Sequence, residues 1–273
     1  MIEVKNLTKR YCNHLAVDHL NFTVESGKIY GFLGPNGAGK STTMNIMTGY
    51  LGATEGQVLI DGHDILKEPE EAKKNIGYLP EIPPLYMEMT VREYLEFAAE
   101  LKGIKKDKRE PQIEEVIRLA KLRDVENRLI QNLSKGYKQR VGLAQAVLGF
   151  PEIIILDEPT VGLDPKQIIE VRDLMKELGK KHTVILSSHI LTEISAVCDH
   201  VFILPKGKLV ASDSTEHLLE RMSGAQEIAL LVKEKEQRTE ELLKELPGVA
   251  EVSREPGEAA EEVLFHVTAE RGE

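Results

Sequence analysis

Apolar and polar positions alternate in Ile2-Glu3-Val4 and again through residues 15–24, the period-two pattern of strands with one buried face. A turn at Glu25-Ser26-Gly27 leads into the apolar run Ile29-Tyr30-Gly31-Phe32-Leu33. A glycine-rich loop, residues 34–40, joins that run to a short helical segment, 41–47. Residues 57–60 form a further strand that ends in a hairpin-type turn at Asp61-Gly62. Between about Thr90 and Gly149 the period becomes helical. Thr90 with Glu93 makes a capping box, and Val91, Tyr94, Leu95, Ala98 and Leu101 then share one face. Ile113, Val116, Ile117 and Ala120 repeat the pattern, and Ser134 is placed to cap a third helix ending at Gly149, with Pro151 just beyond. A helical insertion, about residues 84–150, therefore interrupts an alternating α/β chain.

The alternation resumes at Ile153-Ile154-Ile155-Leu156, a wholly apolar run that suits a central parallel strand buried on both faces. Asp164 caps and Pro165 opens a helix that stops at Gly179. Residues 183–186 read as a strand, 191–198 as a helix, and 201–210 as a hairpin turning at Lys206-Gly207. Strands alternating with helices imply right-handed crossovers and a mostly parallel sheet. After Gly224 a smaller pattern follows: strand 228–232, helix 236–246, and strands 249–252 and 263–267. This β-α-β-β unit stops one helix and one strand short of a split βαβ fold. The expectation is a truncated chain, or a unit completed by a partner in a dimer. The expected domains are 1–223, containing the helical insertion, and 224–273.

The chain's 273 residues fit one large domain with a small appendage. Hydrophobic residues at 41% and charged residues at 29% exclude global disorder. Two cysteines, Cys12 and Cys198, are too few for a disulfide scaffold and read as reduced packing residues in a cytosolic setting. No run approaches the roughly 18 apolar residues of a membrane helix, and the N-terminus lacks a signal-peptide core. The net charge of −10 is unevenly placed. From Gly224 onward 13 Glu face 6 Lys plus Arg, a net of −7, which leaves the first 223 residues at −3. An acidic surplus argues against a nucleic-acid partner and marks a boundary near Gly224. The basic run Lys102, Lys105, Lys106, Lys108 and Arg109 has two readings: a solvated loop between helices, or contact with anionic lipid or the acidic end of a partner.

Gly34-Pro35-Asn36-Gly37-Ala38-Gly39-Lys40-Ser41 matches G-x-x-x-x-G-K-[ST] between a strand and a helix. Glycines let the backbone curl so that successive N–H groups meet phosphate oxygens, and the helix N-terminus adds partial positive charge. Lys40 then reaches the β- and γ-phosphates, the Ser41 hydroxyl ligates Mg²⁺, and Thr42 follows into the first turn. At the end of the apolar strand, Asp157 can hold Mg²⁺. Glu158 can orient and deprotonate an attacking water, a role worth roughly 10²–10⁴-fold in rate.

Between these motifs lies Leu133-Ser134-Lys135-Gly136-Tyr137-Lys138-Gln139-Arg140. With the phosphate loop before it, and an Asp-Glu strand end and a His after the next strand, residues 1–220 resemble the nucleotide-binding subunit of ABC transporters. Residues 133–139 stand where that family has its LSGGQ signature. The resemblance implies a P-loop NTPase (RecA-like) α/β core with an N-terminal antiparallel β-subdomain, the helical insertion and the small C-terminal extension. It implies ATP and Mg²⁺, hydrolysis to ADP and phosphate, and a separate transmembrane permease. It also implies a second ATPase subunit, identical or not, arranged head to tail so that signature and phosphate loop serve one ATP from different subunits. The chain is then cytoplasmic, peripheral on the inner face of the membrane through the permease.

By the same resemblance Tyr11 stacks on adenine, a contact typically worth ~1–3 kcal/mol, with a core-packing hairpin aromatic as the other reading. His189 contacts the γ-phosphate, and Gly162-Leu163-Asp164 crosses the dimer interface, although helix capping alone accounts for Asp164. Two departures stand out. Glu81 occupies the place of the family's usual Gln, where it binds the metal or is held off until coupling moves it. The signature reads Ser-Lys-Gly-Tyr, in which Ser134 and Gly136 keep the hydroxyl and close approach that a γ-phosphate needs, and Lys135 adds a charge. Both variants look most like bacterial exporter-type cassettes of the drug-efflux, gliding-motility and multidrug group. The alternative is a soluble ABC-type ATPase acting in translation, DNA repair or iron–sulfur assembly. A regulatory module without catalysis is opposed by intact Lys40, Asp157, Glu158 and His189.

Overall fold

The computed structural model describes residues 1–222, 227–233, 238–256 and 262–269. Strands β1 (Ile2–Tyr11) and β2 (His14–Val24) pair antiparallel, with Tyr11 opposite His14 at the turn. Their buried residues, among them Val4, Leu7, Leu20 and Phe22, form one apolar side. Cys12 stands exposed at the hairpin tip with φ 48°, so it is not the packing residue expected of it; Cys198 is buried. Next come β3 (Ile29–Leu33), α1 (Lys40–Met47), β4 (Glu55–Ile60) and the short β5 (His63–Asp64). The strand β4 returns beside β1, giving an antiparallel sheet of order β2-β1-β4-β5. Helix α2 (Pro69–Lys73) leads into β6 (Ile76–Leu79).

The helical insertion comprises α3 (Val91–Leu101), α4 (Lys106–Leu119) and α5 (Lys135–Val147). The Thr90–Glu93 capping box is formed in both directions. Leu101 is 71% exposed, contrary to the expected face, whereas Ala99 is fully buried. It lies in the last turn, just before the chain reverses through Gly103 at φ 68°. The basic run is not a loop: Lys105 is the N-cap of α4, and Lys106, Lys108 and Arg109 belong to that helix. The stem of Lys102 is exposed, but its ammonium turns inward and donates to the Gln145 (2.8 Å), Ala146 (3.3 Å) and Leu148 (2.6 Å) carbonyls at the end of α5. Loss of water there pulls its pKa down to about 8, while the three acceptors favour the protonated form.

The chain continues through β7 (Ile153–Leu156), α6 (Pro165–Gly179), β8 (Thr183–Ser188), α7 (Leu191–Ser195), β9 (His200–Ile203) and β10 (Ala211–Ser214). These complete a sheet of order β10-β9-β3-β8-β7-β6, parallel except for β10. Phe22 of β2 meets Phe32 of β3 and Phe202 of β9 at ring-centroid distances of 5.3 and 4.9 Å, joining the two sheets in one core. The hairpin expected over 201–210 is longer, because its second strand begins only at Ala211. Gly207 spends both backbone groups elsewhere: its N–H donates to Ala38 O and its carbonyl accepts from Asp18 N–H. The turn thus braces the phosphate loop instead of closing a tight hairpin.

The chain divides into two units, Met1–Thr215 and Glu216–Glu273; Gly224, where a boundary was expected, lies outside the described residues. Helix α8 (Thr215–Met222) spans the division. In the second unit β11 (Glu227–Lys233), α9 (Thr239–Lys244), β12 (Val249–Pro256) and β13 (Glu262–Ala269) follow in order. They form an antiparallel sheet of order β11-β13-β12 with Val252, Phe265 and Val267 buried and Leu243 of α9 packed on them. The helix begins later than position 236, which itself lies outside the described residues.

Candidate nucleotide site

The phosphate loop leaves the C-terminal end of β3 and enters α1. At Gly39 the backbone takes φ 90°, and a Cβ there would collide with the Ala16 carbonyl, so only glycine permits the turn. The Gly39 carbonyl starts the helix by accepting from Thr43 N–H at 2.9 Å and from its hydroxyl at 2.8 Å. Lys40, 5% exposed, lays its ammonium back along the loop, donating to Gly34 O (2.7 Å) and Pro35 O (3.2 Å) and pairing with Glu158 Oε1 at 3.1 Å. Both charges of that pair are buried, and the loop carbonyls supply the further partners such a pair requires.

Asp157 and Glu158 leave the end of β7. Asp157 Oδ1 accepts from Ser41 Oγ at 3.1 Å and from Ser187 Oγ at 2.6 Å. Burial raises the Asp157 pKa, against the lowering influence of the Ser187 and Ser41 hydrogen bonds. Ser187 also accepts from Glu158 N–H at 2.8 Å. Glu158 adopts φ 46°, a left-handed conformation that costs a non-glycine residue of order 1–3 kcal/mol. Its carboxylate is clamped on two sides, by Lys40 and by His189 Nδ1 at 3.1 Å from Oε2.

Lys40, Ser41, Glu158 and His189 open onto a cleft of about 450 Å³ whose walls also include Tyr11, the rest of residues 36–42 and Glu81. Lys9 Nζ lies 5.3 Å from the centre of the Tyr11 ring. A glycine-rich loop, a buried cation, the Ser41 hydroxyl and a clamped glutamate thus face one cavity that has an aromatic ring at its mouth, while the Asp157 partner of Ser41 lines a neighbouring cleft. A family model described as "ABC transporter" matches residues 17–161. The chain belongs to the ABC transporter family. It is the ATP-binding, ATP-hydrolysing subunit of such a transporter.

Among its relatives is the bacitracin transport ATP-binding protein BcrA of Bacillus licheniformis, 43% identical over 223 residues, covering 81% of this chain and 72% of that one. An uncharacterized ABC transporter ATP-binding protein of Bacillus subtilis, YxlF, is 38% identical over 264 residues, 96% of this chain and 86% of its own. That match necessarily runs into the second unit. Among solved structures, the dimeric post-hydrolysis state of the ATP-binding cassette MJ0796, bound to ADP and Pi, superposes with a TM-score of 0.72 at 27% identity, over 79% of this chain and 99% of that one. The architecture is therefore the P-loop NTPase cassette.

Within this cassette Ser134 and Gly136 do not line the cleft. Ser134 caps α5 by accepting from Tyr137 N–H, and a Cβ at Gly136 would run into the Gln167 amide of α6. Lys135 packs its ammonium against Gly162, so the extra charge of the signature lies on the loop that follows Glu158. Asp164 caps α6, accepting from Gln167 N–H at 2.9 Å. Three residues of the cleft wall, His14, Ala16 and Val161, were not singled out in the sequence. His14 had a legible signal, since it faces Tyr11 across the hairpin turn. Glu81, exposed on the chain after β6, lines this cleft and a second one of about 660 Å³. Ser41, Tyr50, Tyr78, Ile82, Lys102 and Asp157 also line the second cleft, so Ser41 as well as Glu81 borders both, and Tyr78 Oη donates to Asn45 Oδ1 at 2.8 Å. Among the described residues no helix is long and apolar enough to cross a membrane, and no three His, Cys, Asp or Glu side chains form a metal cluster.

Proposed function

We propose that this chain powers transport, in the export direction, through a separate membrane permease, and that it works as one of a head-to-tail pair of ATPase subunits at the inner face of the membrane. The observation that carries the reading is the separation of Ser134 and Gly136 from the cleft that holds Lys40, Glu158 and His189. A signature set apart from its own chain's cleft is placed to serve a neighbour's nucleotide. Head-to-tail pairing brings each signature, with the helix N-terminus behind Ser134, to the γ-phosphate in the other subunit. Binding then closes the pair and hydrolysis removes the contacts that held it closed. Transport is supported by the name of the bacitracin transport protein, and the export direction accords with relatives named for linearmycin resistance and as a probable multidrug transporter.

In this reading Tyr11 stacks on adenine, the N–H groups of residues 34–42 cradle the phosphates, and Lys40 neutralises the β- and γ-phosphates. The Ser41 hydroxyl and the Asp157 carboxylate fit Mg²⁺, a hard cation that takes oxygen ligands, and Glu81 is a third oxygen donor at the edge of the cleft. When bound, Mg²⁺ supplies charge neutralisation to the phosphate oxygens. Phosphate oxygens compete with Glu158 for Lys40, which frees the Glu158 carboxylate to take the proton of an attacking water. That water's oxygen bonds to the γ-phosphorus as the bond to the β–γ bridging oxygen breaks, and His189 holds the γ-phosphate and Glu158 in register. Movement of the permease, seated at the outer wall of the second cleft, reaches this chemistry through Glu81, the exposed residue that with Ser41 borders both clefts.

Glu158→Gln tests the assignment. ATP turnover should fall by at least about 10²-fold, the value of a general base, while ATP binding persists and traps a dimer on size-exclusion chromatography. Turnover near the wild-type rate contradicts the role of Glu158, and failure to dimerise with ATP contradicts the pairing.

A further inference from the structure

We propose that Glu193 is a positioning residue of the hydrolytic site, tying the turn that carries His189 to the turn that follows Glu158. The inference rests on the roles proposed above for His189 and Glu158. Glu193 sits in α7 and is 6% exposed, an unusual place for a carboxylate. One of its oxygens, Oε2, accepts from Thr160 Oγ1 at 2.7 Å and from Ser188 Oγ at 2.9 Å. The two donors belong to the segments that leave the neighbouring parallel strands β7 and β8.

Each donor in turn organises the segment it belongs to. Ser188 Oγ accepts from Ile190 N–H at 3.1 Å, which spans the turn with His189 at its centre. The Thr160 carbonyl accepts from Leu163 N–H at 3.2 Å, and the Glu158 carbonyl accepts from Val161 N–H at 3.2 Å, which curl the chain toward Gly162 and Asp164. At the cleft these turns meet directly where His189 Nδ1 approaches Glu158 Oε2 at 3.1 Å. Glu193 lies behind that contact and makes none with the cleft. Its charge-assisted hydrogen bonds set the spacing across which His189 must meet Glu158 and a phosphate. Removing the carboxylate leaves two buried hydroxyls without their acceptor and lets the turns separate. Gln in its place keeps a carbonyl oxygen able to accept from both.

The test is steady-state ATPase kinetics on the full chain. In Glu193→Ala, kcat should fall about 10- to 100-fold while KM for ATP stays within about threefold, because the loss is of alignment in the transition state. Glu193→Gln should restore most of the rate. In a double-mutant cycle, Glu193→Ala added to His189→Ala should cost less than about threefold more, since both act at one contact. Thr160→Val, which removes a hydroxyl while keeping the β-branch, should reproduce the kcat loss and serves if Glu193→Ala does not fold. Unchanged kcat in Glu193→Ala or Thr160→Val, a rise in KM instead of a fall in kcat, or fully multiplicative losses in the cycle overturns the proposal. If His189→Ala alone leaves turnover intact, it is the reading of His189 that fails, and the two failures are distinguishable.

Discussion

At the scale of single residues the site spends stability on chemistry, and Asp157 is where this can be measured. Its side chain is buried at the end of β7 with Glu158 beside it, and burial outweighs the Ser187 and Ser41 hydrogen bonds and Lys40 in raising its pKa above 3.8. An acid whose pKa is raised on folding carries a cost when ionised. That cost is present above the folded pKa, shrinks as pH falls through it, and vanishes below the unfolded value. Asp157→Asn has the same shape without the charge. In EDTA at pH 7 its urea midpoint should equal or exceed that of the wild type, with the margin closing as the pH is lowered into the acid range. ATP hydrolysis should at the same time be lost. A variant that is less stable at pH 7, or a margin that widens in acid, contradicts the argument. The Glu158 backbone at φ 46° is a second such cost. Neither was legible in the sequence. Spacing shows that two acids end a buried strand, but not that Ser187, 30 positions on, shares its hydroxyl with both Asp157 Oδ1 and Glu158 N–H.

At the scale of elements, most of the fold was legible because local signals agreed with tertiary need. The run 153–156 is a wholly buried strand, the phosphate loop stands between β3 and α1, and Thr90, Ser134 and Asp164 all cap helices. The misreadings arose where a distant partner overrode a local pattern. Gly207 bonds to Ala38 and Asp18 and so delays β10, and Lys102 leaves its expected loop to cap α5. Glu193, which no local pattern singles out, gains its partners only when the fold brings Thr160 and Ser188 to it. Asp164 separates two roles that sequence could not. As N-cap of α6 it accepts from Gln167 N–H, and losing such a cap typically costs about 1 kcal/mol. Asp164→Ala should lower unfolding stability by about that amount in urea titration, and Asp164→Ser, which keeps an acceptor oxygen, should recover most of it. Equal losses in the two variants would show that the carboxylate acts by something other than capping.

At the scale of the whole molecule, the net charge of −10 divides unevenly. With −7 placed from Gly224 onward, the catalytic unit is close to balanced. Nothing in its composition therefore hinders a cleft that must gather a polyphosphate. What the catalytic unit offers a partner is instead apolar surface beside the second cleft, where Tyr50 and Ile82 are each 82% exposed. An exposed aromatic on the turn after α1 has no packing to lose, so its replacement tests docking with little effect on folding. Tyr50→Glu should shift stability by no more than about 0.5 kcal/mol and leave the ATPase rate of the isolated chain unchanged. In membranes with the permease it should weaken assembly and abolish transport, since a buried interfacial carboxylate is left without a partner. The discriminating measurement is the ratio of the two activities. A proportional fall in isolated ATPase and transport would place Tyr50 within the hydrolytic machinery, whereas loss of transport alone assigns the second cleft to the permease.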